Sequence, residues 1–230
     1  MPEEIKEPMV AIIDYGMGNL FSIKQACEYV GLKTAVVSDR EGLLKAKAAI
    51  LPGVGAFGDA MDNLRHLNLI EPICDFIGRG KPFLGICLGL QLLMTESEEY
   101  GRHKGLNIFK GAVIKFPAVD EKGKMRKVPQ VGWNKIFPSK AKNLDHWDKS
   151  LLKGTLPGEC MYFVHSYFVV PESETDILAI SSYEGIEYCA GLFRENIFAC
   201  QFHPEKSGYA GLKIYYNFKK IIEKEELKNG

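Results

Sequence analysis

The chain has 230 residues, 46% hydrophobic and 25% charged, with 29 basic and 29 acidic side chains and therefore no formal net charge. That length suffices for one large α/β domain or two small ones, and the even charge argues against a nucleic-acid backbone as partner, whose binding depends on clustered Lys and Arg. No apolar run approaches the roughly 20 residues of a membrane span, and the acidic, proline-containing stretch Met1 to Pro8 lacks the apolar core of a signal peptide, so a cytoplasmic protein without membrane contact is expected.

Val10 to Ile13 is a continuous apolar run of the kind found in buried parallel strands. Asp14 to Asn19 then turns the chain into a helix, with Phe21, Ile23, Ala26, Cys27 and Val30 at helical spacing and Gly31 as its stop. The pair Gly16 and Gly18 invites a dinucleotide reading, but the third glycine of that fingerprint would fall at Phe21 and the motif is incomplete. Thr34 to Val37 is a second expected strand, Leu43 to Ala48 a short helix and Ala49 to Leu51 a third strand. It ends in Pro52-Gly-Val-Gly-Ala-Phe-Gly58, a glycine-rich loop at the carboxyl end of a strand, where open α/β sheets place ligands. Helices over Asp59 to Leu67 and Ile70 to Gly80 precede Lys81 to Ile86, an apolar strand that delivers Cys87. This alternation predicts a doubly wound, mostly parallel sheet in one domain.

From Gly105 the pattern changes to shorter strands, an added antiparallel β portion. Gly111 to Phe116 and Lys127 to Val131 read as a hairpin about the charged loop Asp120 to Lys124. Met161 to Val170 reads as one aromatic strand, Ile177 to Tyr183 and Glu187 to Phe193 as a hairpin about Glu184-Gly185, and Ile197 to Phe202 as a buried strand ending at His203. An amphipathic helix from Leu212 to about Glu225 closes the pattern.

Two short motifs carry chemistry. In Gly85-Ile-Cys-Leu-Gly89 the glycines flank a cysteine between strand and helix, the thiol form of a nucleophile elbow, and the following amide, Leu88 N–H, is placed to face an oxyanion. In His203-Pro-Glu205 a histidine and a carboxylate two residues apart supply a base and the group that orients it. On extended backbone the two would point to the same side. The other five cysteines, Cys27, Cys74, Cys160, Cys189 and Cys200, show neither metal spacing nor a disulfide framework, and no metal site is expected. His165, in an aromatic strand, reads equally as structural or functional.

Together, Gly85 to Gln91, Pro52 to Phe57, Pro129-Gln-Val-Gly-Trp-Asn134, His165-Ser-Tyr167 and Gln201-Phe-His-Pro-Glu-Lys-Ser207 resemble the class I (triad) glutamine amidotransferases, and among them the glutaminase subunits of imidazole glycerol phosphate synthase. The resemblance runs from about Val10 to Phe218. It implies a flavodoxin-like glutaminase fold. It implies Cys87 as nucleophile on L-glutamine, His203 as base and acid, Glu205 as orienting group, and backbone N–H groups of Val54 and Leu88 as oxyanion donors. It implies that Gly55, Gln91, His165, Ser166 and Tyr167 hold the glutamine and that no cofactor takes part. It implies a heterodimer with a (β/α)₈ barrel cyclase that receives the ammonia for histidine biosynthesis, met by Asn19, Gln130, Trp133, Asn134, Lys206 and Ser207. Ala56 and Gln130 depart from residues seen in some relatives, and paralogues feed ammonia to surface-sugar amidination. A different thiol hydrolase would share the elbow and histidine but not Gln91 or the Pro-Gly-Val-Gly loop. A chain that only binds the barrel would have no need of all three triad residues.

Overall fold

A computed structural model describes residues 9–119, 123–140 and 144–229. The first half of the chain forms β1 (Val10–Ile13), α1 (Leu20–Tyr29), β2 (Thr34–Val37), α2 (Arg40–Lys45), β3 (Ala48–Leu51), α3 (Phe57–His66), α4 (Ile70–Gly78), β4 (Phe83–Ile86) and α5 (Leu88–Leu92). Strands β1, β3 and β4 are buried throughout because both faces are covered, whereas the edge strand β2 begins at Thr34 and leaves Val36 exposed. In β1, Ala11 and Ile13 enter one core cluster while Val10 and Ile12 enter the other, as the two-residue period of a strand requires. Helices α2, α3 and α4 supply Leu43, Phe57, Leu64 and Phe76 to the first cluster, and α1 supplies Ile23 and Cys27 to the second.

The remainder forms β5 (Glu96–Ser97), β6 (His103–Lys104), β7 (Gly111–Lys115), β8 (Gln130–Lys135), β9 (Phe137–Pro138), α6 (Leu144–Asp148), β10 (Cys160–His165), β11 (Tyr167–Pro171), β12 (Ile177–Tyr183), β13 (Ile186–Arg194), β14 (Ile197–Cys200) and α7 (Gly208–Asn229). An eight-stranded sheet has the order β2-β1-β3-β4-β14-β13-β12-β9. Its first five strands are parallel and the last three are added antiparallel. Strand β14 thus lies beside β4, and the segments that follow the two strands emerge at the same edge of the sheet. That adjacency brings Cys87 and His203 together across more than a hundred residues of sequence.

Several boundaries and pairings differ from the sequence expectations. The helix expected from Leu43 begins at Arg40, because the Asp39 carboxylate accepts from Gly42 N–H at 2.8 Å and caps it. Ala48, expected at that helix's end, already sits opposite Val10 in the sheet. The hairpin expected between 111–116 and 127–131 does not form. Strand β7 pairs with β11 and β5, and β8 pairs with β10, with Gln130 opposite His165. A lone bridge joins Val119 and Met125, while 120–122 of the charged loop, like the acidic stretch Met1 to Pro8, lies outside the described residues. The long aromatic strand is two strands divided at Ser166, where the chain leaves the β8 ladder for that of β7. Helix α7 starts at Gly208, ahead of the expected Leu212, and buries Ile214, Tyr215, Phe218 and Ile222 beside α1.

Candidate active site

Strand β4 ends in Cys87, whose backbone has φ 54° and ψ −107°, a conformation that L residues rarely adopt. Holding a side chain there costs about 1–3 kcal/mol, supplied by the surrounding structure. One support is visible: Cys87 N–H donates to the Cys200 carbonyl at 2.7 Å, tying the turn to β14. The glycine on the helix side is a steric requirement. A Cβ at Gly89 would lie 1.9 Å from the Leu51 carbonyl oxygen, so α5 can approach β3 only without one.

His203 leaves the neighbouring strand end with its Nδ1 2.7 Å from Glu205 Oε1, both side chains almost wholly buried. The two were expected on one side of an extended segment. Instead, only His203 is extended, and Pro204–Lys206 forms a 3₁₀ turn that folds Glu205 back onto the ring. His203 Nε2 is buried and makes no hydrogen bond, leaving it available on the Cys87 side. Burial disfavours a charged imidazole here, but the interactions with Cys87 and with the Glu205 carboxylate outweigh it and raise His203 from 6.5 to about 10. A protonated ring between a sulfur and a carboxylate can hand its proton to a leaving amine and take one back from water.

A cavity of roughly 320 Å³, within the range of small-molecule sites, opens over Cys87. Its lining includes Val54, Gly55, Leu88, Gln91, His165, Ser166 and Tyr167, every residue expected at the oxyanion and the substrate. The His165 ring packs against Phe116, Phe163 and Tyr188, and its Nδ1 donates to the Tyr167 carbonyl at 2.8 Å. Burial, aided by the positive His203, lowers it to about 4, so it stands neutral. The loop after β3 does not present both expected amides at once. Leu88 N–H donates to the Gly53 carbonyl at 3.4 Å. In a trans peptide the C=O and N–H point opposite ways, so Val54 N–H is turned away from the position that Leu88 N–H faces.

The family model described as glutamine amidotransferase class-I matches residues 11–221. This chain belongs to the class I glutamine amidotransferases. It is 48% identical over 211 residues to the imidazole glycerol phosphate synthase subunit HisH of Syntrophotalea carbinolica, covering 91% of this chain and 98% of that one. With the Aquifex aeolicus protein of the same name it shares 48% over 214 residues, 93% and 97% of the two chains. Among solved structures, a putative GMP synthase component from Thermoplasma acidophilum superposes with a TM-score of 0.68 at 19% identity, covering 99% of this chain and 100% of that one. PurLQS from Thermotoga maritima gives 0.68 at 19%, over 94% and 100%. At such identities the structures attest the fold alone.

In this amidotransferase the residues expected at a partner surface divide into three sets. Trp133 is 59% exposed and meets the Tyr162 ring edge-on, and exposed Lys206 lies over the same ring with Nζ 5.8 Å from its centroid. Asn134 and Asn19 are half-buried; the first donates to the Ser182 carbonyl and the second caps α1 through Ser22 N–H. Gln130 and Ser207 are buried and offer no side-chain surface. The Ser207 hydroxyl instead donates to the His203 carbonyl at 2.6 Å and accepts from Tyr162 N–H, fixing the backbone of the histidine.

Two residues at the site were missed in the sequence, one in the cavity lining and one behind it. Glu99 lines the cavity, and its Oε2 accepts from Phe57 N–H at 2.7 Å, capping α3 from 42 residues away. In Glu96-Ser-Glu-Glu99 it looks like one more solvated acid, and nothing local distinguishes it. Gln201 is fully buried between Gln91 and Cys87; its position beside the His-Pro-Glu motif was the available signal. Among the described residues no cluster of His, Cys, Asp or Glu could hold a metal ion, and no helix is long and apolar enough to cross a membrane.

Proposed function

We propose that the chain is the glutaminase subunit of an imidazole glycerol phosphate synthase and supplies ammonia to a (β/α)₈ barrel cyclase in histidine biosynthesis, in the cytoplasm. The observation that carries this reading is the 48% identity to proteins of that name over nearly the whole of both chains. The assembled cysteine, histidine and glutamate beside a glutamine-sized cavity support it.

In this reading the Cys87 sulfur attacks the γ-carboxamide carbon of glutamine. The thiol proton resides on His203, which gives it to the departing nitrogen, so ammonia leaves and a thioester remains. Water then attacks the thioester, its proton returning through His203, and glutamate departs. Glu205 holds the imidazole by Nδ1, leaving Nε2 for both transfers. Glu99 is the carboxylate in the cavity lining, and it suits the α-ammonium of a free amino acid. The negative oxygen formed in each attack needs two donors. Leu88 N–H is one only after it leaves the Gly53 carbonyl, and rotation of the Gly53–Val54 peptide would release it and turn Val54 N–H inward together. That rotation changes ψ at Gly53 and φ at Val54, and Gly53 carries no Cβ to oppose it.

The free chain is then a poor glutaminase, and docking of the barrel on the Trp133, Asn134, Lys206 and Asn19 face favours the rotated loop. The test is glutamate release from glutamine by the purified chain, alone and with a histidine-pathway barrel subunit plus its nucleotide substrate. Strong stimulation is expected. Absence of stimulation, with Cys87 still labelled by a diazoketone analogue of glutamine, would refute this partner and favour the sugar-amidination enzymes.

A further inference from the structure

Gln201 follows β14 and is 0% exposed, and both ends of its carboxamide are engaged. Gln91, on α5, sends Nε2 to the Tyr167 carbonyl at 3.0 Å and to Gln201 Oε1 at 3.1 Å. Gln201 Nε2 in turn donates to Cys87 Sγ at 3.6 Å. The direction of this relay is not arbitrary. A backbone carbonyl can only accept, so the Gln91 atom that faces Tyr167 must be the amide nitrogen. That nitrogen has a second hydrogen, which requires the oxygen of Gln201 to face it and leaves the nitrogen of Gln201 facing the sulfur. One carbonyl therefore sets the orientation of two side-chain amides.

Two consequences follow at the cavity. Both hydrogens of Gln91 Nε2 are spent inside the protein, so Oε1 is the polar atom that Gln91 offers to the space it lines. An acceptor there suits the NH₂ of a γ-carboxamide and disfavours the γ-carboxylate of the product. At the other end, the Gln201 N–H is aimed at the sulfur. A donor in that place gains strength when the sulfur carries negative charge. By contrast, the other contact of Cys87 Sγ, with the Val164 carbonyl at 3.9 Å, is one in which the thiol donates, and it is lost when the proton leaves.

We infer that Gln201 is a positioning residue: through Gln91 it presents an acceptor to the substrate amide, and with its own N–H it holds the Cys87 sulfur for attack. This rests on Cys87 being the nucleophile. It adds a residue outside the triad, the oxyanion donors and the substrate contacts, and it assigns a polarity to the substrate contact at Gln91.

Two variants separate the two ends. Gln201→Glu keeps an acceptor for Gln91 Nε2 and removes the donor to sulfur, whereas Gln201→Leu removes both. Glutamine kinetics are measured on the full chain with its barrel partner, and alkylation of Cys87 by iodoacetamide, read by mass spectrometry at that residue, is measured without substrate. For Gln201→Glu the expected result is a kcat lower by roughly 10- to 100-fold, equivalent to about 1.4–2.8 kcal/mol, at a KM within about twofold of the parent. For Gln201→Leu, kcat falls similarly and KM rises by roughly tenfold. Alkylation slows in both. A role in packing alone would leave alkylation at the parental rate or move KM equally in the two variants, and either result overturns the proposal. Melting midpoints report folding, and should Gln201→Leu fail to fold, Gln201→Glu and Gln201→Met carry the same comparison. A diazoketone analogue of glutamine that failed to label Cys87 in the parent chain would remove the nucleophile and this role with it. Labelled Cys87 with unaffected variants would remove the role of Gln201 alone.

Discussion

Replacing Gly89 with alanine would put a methyl carbon 1.9 Å from the Leu51 carbonyl oxygen, where ordinary contact lies at 3.4–4 Å. About 1.5 Å must be found, and β3 cannot supply it, since it is fully buried and paired on one side with β1 and on the other with β4. The five-residue helix α5 has to move, carrying Leu88 N–H and the strained Cys87 turn with it. Overpacking of this kind costs about 1–3 kcal/mol, which in a chain of this size lowers the melting midpoint by roughly 2–4 °C for each kcal/mol. A displacement near 1 Å at reacting groups costs on the order of 100-fold in rate. Gly89→Ala is therefore expected to lose about 100-fold in glutamine kcat/KM, to melt several degrees lower and to alkylate Cys87 more slowly. Gly78→Ala is the control. That glycine ends α4, and a methyl group added to it would meet no atom within 4 Å, so alanine there should be neutral or stabilising. Wild-type kinetics and melting in Gly89→Ala would refute the steric account of the elbow.

Other outcomes test the charges and surfaces. Glu205→Gln removes the charge of one of the two groups that raise His203 to about 10. The protonated ring is then lost at lower pH, so the alkaline limb of the single-turnover rate moves down and kcat falls by roughly 100-fold or more. His165, lowered from 6.5 to about 4, has the opposite linkage. Its contribution to stability is complete above pH 6.5 and is lost as pH falls through 4, about 3 kcal/mol in all. Urea unfolding at pH 7 and pH 4 should show a smaller drop in His165→Asn than in the parent by about that amount. Trp133→Ala, at an exposed ring, should leave the melting midpoint unchanged and weaken barrel binding by at least about tenfold in a titration.

Legibility in the sequence followed how local each cause was. Strands β1, β3 and β4 were readable because a parallel strand covered on both faces must be apolar throughout, and the elbow because its glycines and cysteine fall within five residues. The contact of His203 with Glu205 was readable from the motif, although the backbone reason given for it was wrong: a 3₁₀ turn, not extended geometry, brings them to 2.7 Å. The pairing of β7 and β8 was not readable. Antiparallel edges with no tight turn between them choose partners by long-range packing, and β11 and β10 took the places assigned to each other. Ser207 looked like partner surface beside Lys206, yet one step along a tight turn reversed its direction from solvent to the His203 carbonyl. Glu99 needed the assembled cavity, since a capping acid 42 residues away leaves no local pattern, and Gln201 had only its place beside His203-Pro-Glu205, which does not foretell an amide relay.

The division of labour between the two subunits is tested most directly by Cys87→Ala in the complex with the barrel. Synthesis of imidazole glycerol phosphate is measured once from glutamine and once from added ammonium salt. The glutamine-dependent reaction is expected to disappear while the ammonium-dependent reaction continues at the parental rate. Retention of the glutamine-dependent reaction, or loss of both, would contradict that division.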